Sequence, residues 1–497
     1  MNRFAWAFAV AGPVAVVACA AWPFAAAPGV TGSPALTTAA GRAPLAQGQP
    51  VGVLGCAAAG CHGGPAADAL AGRPGADAWT CAATAWLARD PHTKAYAALE
   101  SPLAIDMMRR LTGEAEPGVP KVAATEDARC LACHTNPSLA RPVSELSDAR
   151  LVMLRREGVS CEACHGNAGG WLFDHTAWPG PPPDGSGMAR LNDLGERALA
   201  CAGCHVGAPA VDGKLPLRDM NHDMIAAGHP RLTFDFASYQ RDLPPHWREW
   251  DRTARTPRDA DFETQAWLVG RVAHAETAAA LLADRARRAQ EKESPAPWPE
   301  FAEFNCAACH HRFAAPDIDP KNPVPEGAKY PPPAPGGWRR PGAAAWQPVW
   351  PVTRPADLRA LADFPAAGLA LAQTQALLAA VEKARPNPGD TATAAKNAAG
   401  ALGKLREKLA APGAVKGDAV REVLRAGLDH PLLDRDRDAA WQLYHGLAAA
   451  ERARAGRDGD RTDAGFRRAW EKLTLPRGTV AADAPAGTAA ELKTLLK

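Results

Sequence analysis

The chain has 497 residues, of which 22% are charged, and a formal net charge of +2; that length allows two to four domains, and the balance lacks the basic footprint of a nucleic-acid-binding protein. Only 6% of the residues are aromatic, against 46 prolines and 44 glycines, so an ordinary packed core is scarce in the first two thirds. Twelve cysteines are more than a cytosolic enzyme usually carries and ask for an explanation.

Arg3 is followed by an almost uncharged apolar run from Phe4 to Ala27, the layout of a secretory signal, with Ala25-Ala26-Ala27 as a small-residue cleavage site. The run is about long enough to span a bilayer, but Pro13 and Pro23 interrupt it, so cleavage is the first reading. Val16-Val17-Ala18-Cys19 also has the form of a bacterial lipobox, in which Cys19 would be lipidated and anchor the chain to a membrane; both readings stay open. Residues 28–50 are rich in Gly, Pro, Thr and Ala and read as a flexible tether. The expected location is therefore outside the cytoplasm, in the periplasm or anchored facing it or the cell surface.

Five Cys-His groups follow. Four are regular: Cys130-Leu-Ala-Cys133-His134, Cys161-Glu-Ala-Cys164-His165, Cys201-Ala-Gly-Cys204-His205 and Cys306-Ala-Ala-Cys309-His310. Two thiols spaced this way add across the vinyl groups of a porphyrin, and the adjacent imidazole reaches the iron, which is the requirement for haem c. One such motif could be half a zinc site or a redox dithiol; four, each followed by His, leave little room for either. The first group, Cys56-Ala-Ala-Ala-Gly-Cys61-His62, separates its thiols by four small residues that would let the loop bulge. Its alternative is a disulfide among Cys56, Cys61 and Cys81, with His62 unliganded. Five haems are expected, and ten of the twelve cysteines are then explained. Cys19 and Cys81 remain, the latter as a buried small hydrophobe.

Asp90-Pro91-His92-Thr93-Lys94-Ala95-Tyr96 reads as a helix start with Pro at its first position and His92 in its first turn. A helical His is usually a satisfied polar residue; beside several irons it is a candidate distal ligand. Ser144 to Arg156 has helical apolar spacing and ends at Gly158, predicting a helix that leads into Cys161. Trp171 and His175 precede a Pro-Gly-rich loop from Pro179 to Gly187, and Asn192 to Ala200 predicts a helix feeding Cys201. His222 and His229, seven residues apart, would lie on nearly one helix face about 10 Å apart along the axis, but Pro230 pushes His229 to or past the helix end. His246 sits in a stiff Pro-Pro-His-Trp loop, and Asp261 to Arg288 predicts a long helix carrying His274 as a helix-face polar residue.

These segments carry a resemblance. Asp90 to Tyr96, Gly158-Val-Ser-Cys161-Glu-Ala-Cys164-His165-Gly166, Trp171-Leu-Phe-Asp-His175-Thr176 and Asn221-His222-Asp-Met-Ile-Ala-Ala-Gly-His229-Pro-Arg-Leu together resemble the cytochrome c-554/c-prime family of multihaem cytochromes. Trp298 to His311 extends the likeness to related five-haem proteins, over roughly residues 50 to 350. The resemblance implies a mainly α, loop-rich electron-carrier fold organised around stacked haems, most of them ligated by two histidines. With His62, His134, His165, His205 and His310 as proximal ligands, it implies His92, His175, His222 and His229 as distal ligands, with His246 ahead of His311 for the fifth place. Met220 and Met224 are the competing axial ligands and would raise the potential.

Residues 314–355 are too rich in proline for regular structure. Beyond them, residues 364–384, 391–410, 416–427, 434–453 and 462–473 predict a small antiparallel helical bundle, in which His430 and His445 are packing or surface residues. The expected organisation is thus 1–27 signal, 28–50 tether, 51–313 multihaem domain, 314–360 linker and 361–497 bundle. Three functions compete. An electron carrier, working with redox partner proteins, has irons filled by two histidines; an oxidoreductase acting on nitrite, hydroxylamine or nitric oxide needs one open haem; a surface-anchored scaffold would leave the haems redundant. Nine histidines remain beyond the five in the motifs, enough to fill five irons, and no Cys-x-x-Cys-Lys variant is present. The carrier reading is favoured.

Overall fold

The computed structural model describes residues 48–65, 78–146, 148–211, 215–232, 234–244, 246, 261–293, 296–303, 365–381, 383, 386–427 and 437–455. The signal and tether to residue 47, the fourth regular motif with His311, the whole linker, His430 and the helix expected at 462–473 lie outside them. The fold is mainly α. Its helices are α1 Val53–Cys56, α2 Ala82–Arg89, α3 Ala95–Ala98, α4 Pro102–Thr112, α5 Ala128–His134, α6 Ala149–Arg155, α7 Cys161–His165 and α8 Leu194–His205. They continue as α9 His222–Ala227, α10 Phe236–Asp242, α11 Phe262–Arg288, α12 Pro365–Val381, α13 Pro388–Ala410, α14 Gly417–Gly427 and α15 Arg437–Ala455. Strands β1 Glu114–Glu116 and β2 Val119–Pro120 form one small antiparallel ribbon.

Side-chain caps set most of these boundaries. Asp127, Asp148, Asp193, Asn221 and Asp235 each accept a backbone N–H from the first turn of the helix that follows, satisfying a donor that the helix itself leaves without a partner. The helix expected from Ser144 therefore starts only at Ala149, after a separate 3-10 turn at Val143–Glu145. The helix expected at 192–200 instead runs on through the motif to His205. Asp90 caps a single 3-10 turn, Pro91–Lys94, before α3 begins. α5, α7 and α8 all end on the motif histidine, so each Cys-x-x-Cys-His group occupies the last turn of a helix.

The long helix α11 organises the second half. Most of its 27 residues are buried, far more than one apolar stripe, because it packs against α8, α10, α13, α14 and α15. Leu194 and Ala198 of α8, Phe236 of α10, Trp267 and Val272 of α11, Leu402 and Leu405 of α13, and Leu443 and Leu447 of α15 share one core. Close helix approach depends on missing side chains: a Cβ on Gly270 would stand 2.4 Å from the Phe236 Cβ, and one on Gly446 would stand 2.7 Å from the Trp267 ring. A second cluster joins Leu282 of α11 to Leu377 and Ala395; a third, Tyr96, Leu99, Met108 and Leu131, surrounds the first regular motif.

Among the described residues no helix is long and apolar enough to cross a membrane. Ion pairs fasten the end of α11: Arg285 bonds both Asp219 and Glu303, and Arg288 reaches Asp219 at 2.8 Å. His274 is a half-buried polar residue of α11, held by Arg271 and edge-on to Phe234. His445 is a packing residue, 3% exposed beside Trp441 and Tyr444.

Candidate functional site

Four of the five motif histidines lie in described residues, and each faces one histidine from outside the motifs. His62 faces His175 with ring centroids 6.2 Å apart, His205 faces His92 at 6.2 Å, His134 faces His229 at 6.3 Å and His165 faces His246 at 6.4 Å. The near-identity of these four distances has a simple physical account. An imidazole nitrogen binds a first-row metal at about 2.0 Å, and the ring centroid lies about 1.1–1.2 Å behind it, so two rings on opposite sides of one ion stand about 6.3 Å apart. The rings are nearly parallel at the first pair, at 17°, and crossed at the other three, by 78°, 83° and 51° in the order given.

Nδ1 contacts support the same reading. His62 Nδ1 meets the Trp79 carbonyl at 2.8 Å, His134 Nδ1 the Ala95 carbonyl at 2.8 Å, His229 Nδ1 the Pro230 carbonyl at 2.7 Å and His92 Nδ1 the Asp90 carboxylate at 2.9 Å. When Nδ1 donates in this way, Nε2 carries the lone pair and points at a metal, the usual arrangement around metal-bound histidines. Burial holds His165 down at about 3 and His205 at about 4, and also lowers His229 and His246. These imidazoles are thus neutral at ordinary pH, as ligation requires.

The sulfurs are arranged to match. Cys56 of the first motif lies beside Cys161 of the third, and Cys133 of the second lies beside Cys204 of the fourth. Cys164 of the third lies within electrostatic reach of Cys201 and Cys204 of the fourth. Burial pushes Cys130 up to about 11 and both Cys164 and Cys201 up to about 12. Cys164 nevertheless keeps accessible surface. The described attachment groups therefore adjoin in the order first, third, fourth, second, with Cys306, Cys309 and His310 outside the described residues.

The irregular first group keeps the essential contact of the regular ones. In a helical Cys-x-x-Cys-His the ladder joins the His N–H to the carbonyl of the first Cys, four residues back. Here His62 N–H bonds the Cys56 carbonyl at 3.2 Å across two additional residues, while Cys61 and Gly63 N–H both close on Ala58. The insertion is looped out and Cys56 stays beside Cys61 and His62. Neither cysteine forms a disulfide. Leu54, Trp79 and Phe173 turn large apolar surface outward around this group, 89%, 46% and 84% exposed, a wall suited to an apolar macrocycle. Gly63 leaves no room for a side chain, since a Cβ would fall 2.0 Å from the Ala57 carbonyl oxygen. Gly63→Ala is expected to spring the loop and remove one covalent haem from the mature protein; an unchanged intact mass would contradict this.

His222 is the first residue of α9, after the Asn221 cap, its N–H bonded to Glu300 at 2.8 Å and its ring edge-on to Phe301, close in sequence to the motif that begins at Cys306. His229 lies just past the left-handed Gly228 that ends α9, so the two histidines do not share one helix face. Met224 is buried in the core, 4% exposed. Sequence reading missed the residues that hold these groups in place: Glu157 and Glu162, which receive backbone N–H groups of residues 51–53, and Arg218, whose guanidinium lies 3.9 Å from the Cys204 sulfur. Only the bare carboxyl at the second position of Cys161-Glu162-Ala-Cys164, where the other regular motifs have Leu or Ala, could have signalled the first.

The family model for cytochrome c554 and c-prime matches residues 80–166. No curated protein and no solved structure matches the chain. The matched stretch holds the capped Asp90-Pro91-His92 turn and two of the helix-ending Cys-x-x-Cys-His groups, and over these residues the chain is similar to cytochrome c554 and c-prime, haem c cytochromes.

Proposed function

We propose that the protein is an exported multihaem c-type cytochrome that passes electrons through five covalent haems, each iron held by two histidines. The four imidazole pairs at 6.2–6.4 Å carry this reading, because an iron with both axial positions filled can change oxidation state but offers no place to a substrate. His62 with His175, His92 with His205, His134 with His229 and His165 with His246 are the assigned ligand pairs. His222 is left for His310, in keeping with its place beside Glu300 and Phe301. The contiguous thiols support a conducting order of first, third, fourth and second group. Haem c is attached outside the cytoplasm, in accord with the apolar leader that ends at Ala27; Cys19 is its candidate lipidation site. Redox proteins are the expected partners.

Intact mass combined with a pyridine haemochrome assay, on protein from a host that matures c-type cytochromes, tests the count. Five haems per chain are expected. Four, with Cys56 and Cys61 alkylatable, would remove the irregular site, and none would overturn the reading.

A further inference from the structure

We propose that Glu162 is a positioning residue which holds the irregular first attachment group against the third. The proposal rests on the haem reading of both groups. Glu162 lies between the two cysteines of the third motif and is 4% exposed, yet among the described residues no basic side chain bonds its carboxylate. It accepts backbone N–H groups instead: Val51 at 2.9 and 3.0 Å, Gly52 at 2.8 Å and Ala168 at 2.6 Å. Glu157 takes the next one, Val53, at 3.2 and 3.1 Å. The contacts of residues 51–53 join parts of the chain more than 100 residues apart and are continued by the Asn167 amide to the Gly48 carbonyl at 2.6 Å and by Gly169 N–H to the Gln49 carbonyl at 2.9 Å.

The geometry leaves the 48–53 segment one seat. Gly52 has φ 82°, and a Cβ there would stand 2.4 Å from Leu154 Cδ2 and 2.9 Å from Glu157 Oε1, so the backbone lies directly on α6 and the carboxylates. Helix α1 leaves that seat and ends four residues later at Cys56, whose thiol meets Cys161. The carboxylate thus fixes the entry to the irregular loop at the same point where the third group begins. The equivalent position is Leu131, Ala202 and Ala307 in the other regular motifs, so attachment of a haem does not itself require an acid there. A charged acceptor is needed because it can take several buried N–H groups at once, and a neutral side chain leaves some of them without a partner.

The test compares full-length, matured protein carrying E162A, E162Q or E162D, with E100Q as a surface control, by intact mass, ferric electron paramagnetic resonance and redox titration. In E162A the haem on Cys56 and Cys61 should be lost, or its low-spin signal and midpoint potential should shift, while the signals of the His92–His205 and His134–His229 pairs stay as in the parent. E162D should restore part of what E162A loses, and E162Q should shift the first site even where its haem is retained. If E162A yields no holoprotein, E162Q decides: an unshifted first-site signal and potential overturns the proposal, as does an E162A protein with five haems and the parent's spectrum. A parent chain with alkylatable Cys56 and Cys61 would overturn the haem reading of the first site, and the proposal with it.

Discussion

Replacing His229 by alanine should turn one ferric iron high-spin and leave the others unchanged. His229 is the partner of His134 across 6.3 Å, and its orientation is fixed by the Pro230 carbonyl. The backbone around it is set independently, by the left-handed Gly228 and the Asn221 cap of α9, so the imidazole can be removed without unwinding its support. The iron held by His134 then loses one strong-field ligand. It should bind carbon monoxide when reduced, at one equivalent per chain, whereas the parent binds essentially none. Added imidazole should enter the vacated space and restore the low-spin state. A variant that stays entirely low-spin without imidazole would show that another residue, such as Met224, supplies the sixth ligand.

A chain ending at residue 360 should not yield a stable cytochrome. The composition change after the proline-rich stretch invites the view that the C-terminal helices are an appendage, but the contacts argue otherwise. Leu402, Leu405 and Leu409 of α13 and Leu443 and Leu447 of α15 are fully buried in the core that contains Trp267 of α11 and Leu194 of α8. Burying one such side chain is worth about 1.5–3 kcal/mol, so five together match the whole net stability of a typical domain, about 5–15 kcal/mol. Polar contacts are lost too: Arg406 bonds Glu276 at 2.8 Å and Glu196 at 3.2 Å, and Gln265 reaches the Leu409 and Ala411 carbonyls at 2.7 Å. Since α8 ends on His205, the fourth haem group should fail first. Haem content and thermal unfolding of the truncated chain check this; five haems and an unchanged melting temperature would refute it.

What could be read from the sequence was what is local. The spacing of two thiols and a histidine is a requirement of covalent chemistry, so the regular motifs need no fold to be visible. The Asp90 cap, the end of α9 before Pro230 and the extent of α11 follow from residues within one or two turns. The pairing of His62 with His175, or of His165 with His246, depends on how segments 81 to 113 residues apart come together, and histidine counting cannot supply that. The helix predicted from Ser144 came out short because one Asp148 carboxylate outweighs weak apolar periodicity upstream. The burial of Gln265, Arg271 and Arg285 in α11 could not be read from sequence, because their partners are distant: the Leu409 carbonyl, the Phe234 carbonyl and Asp219. Nothing local to Glu162 signals its contacts, which are with the N–H groups of residues 51 and 52 more than 100 positions away.

The central claim is that every iron is filled by two histidines, and low-temperature electron paramagnetic resonance of the fully oxidised parent protein tests it most directly. Near-parallel imidazoles split the iron d orbitals rhombically, whereas crossed imidazoles leave two of them almost degenerate and give a strongly anisotropic low-spin signal. The interplanar angles of 17° for His62 with His175, and of 78° and 83° for His92 with His205 and His134 with His229, predict both kinds of signal in one spectrum, with no high-spin component. A high-spin signal of one haem equivalent in the parent, abolished by nitric oxide, would contradict the account and give the protein an open iron at which a small nitrogen compound could react.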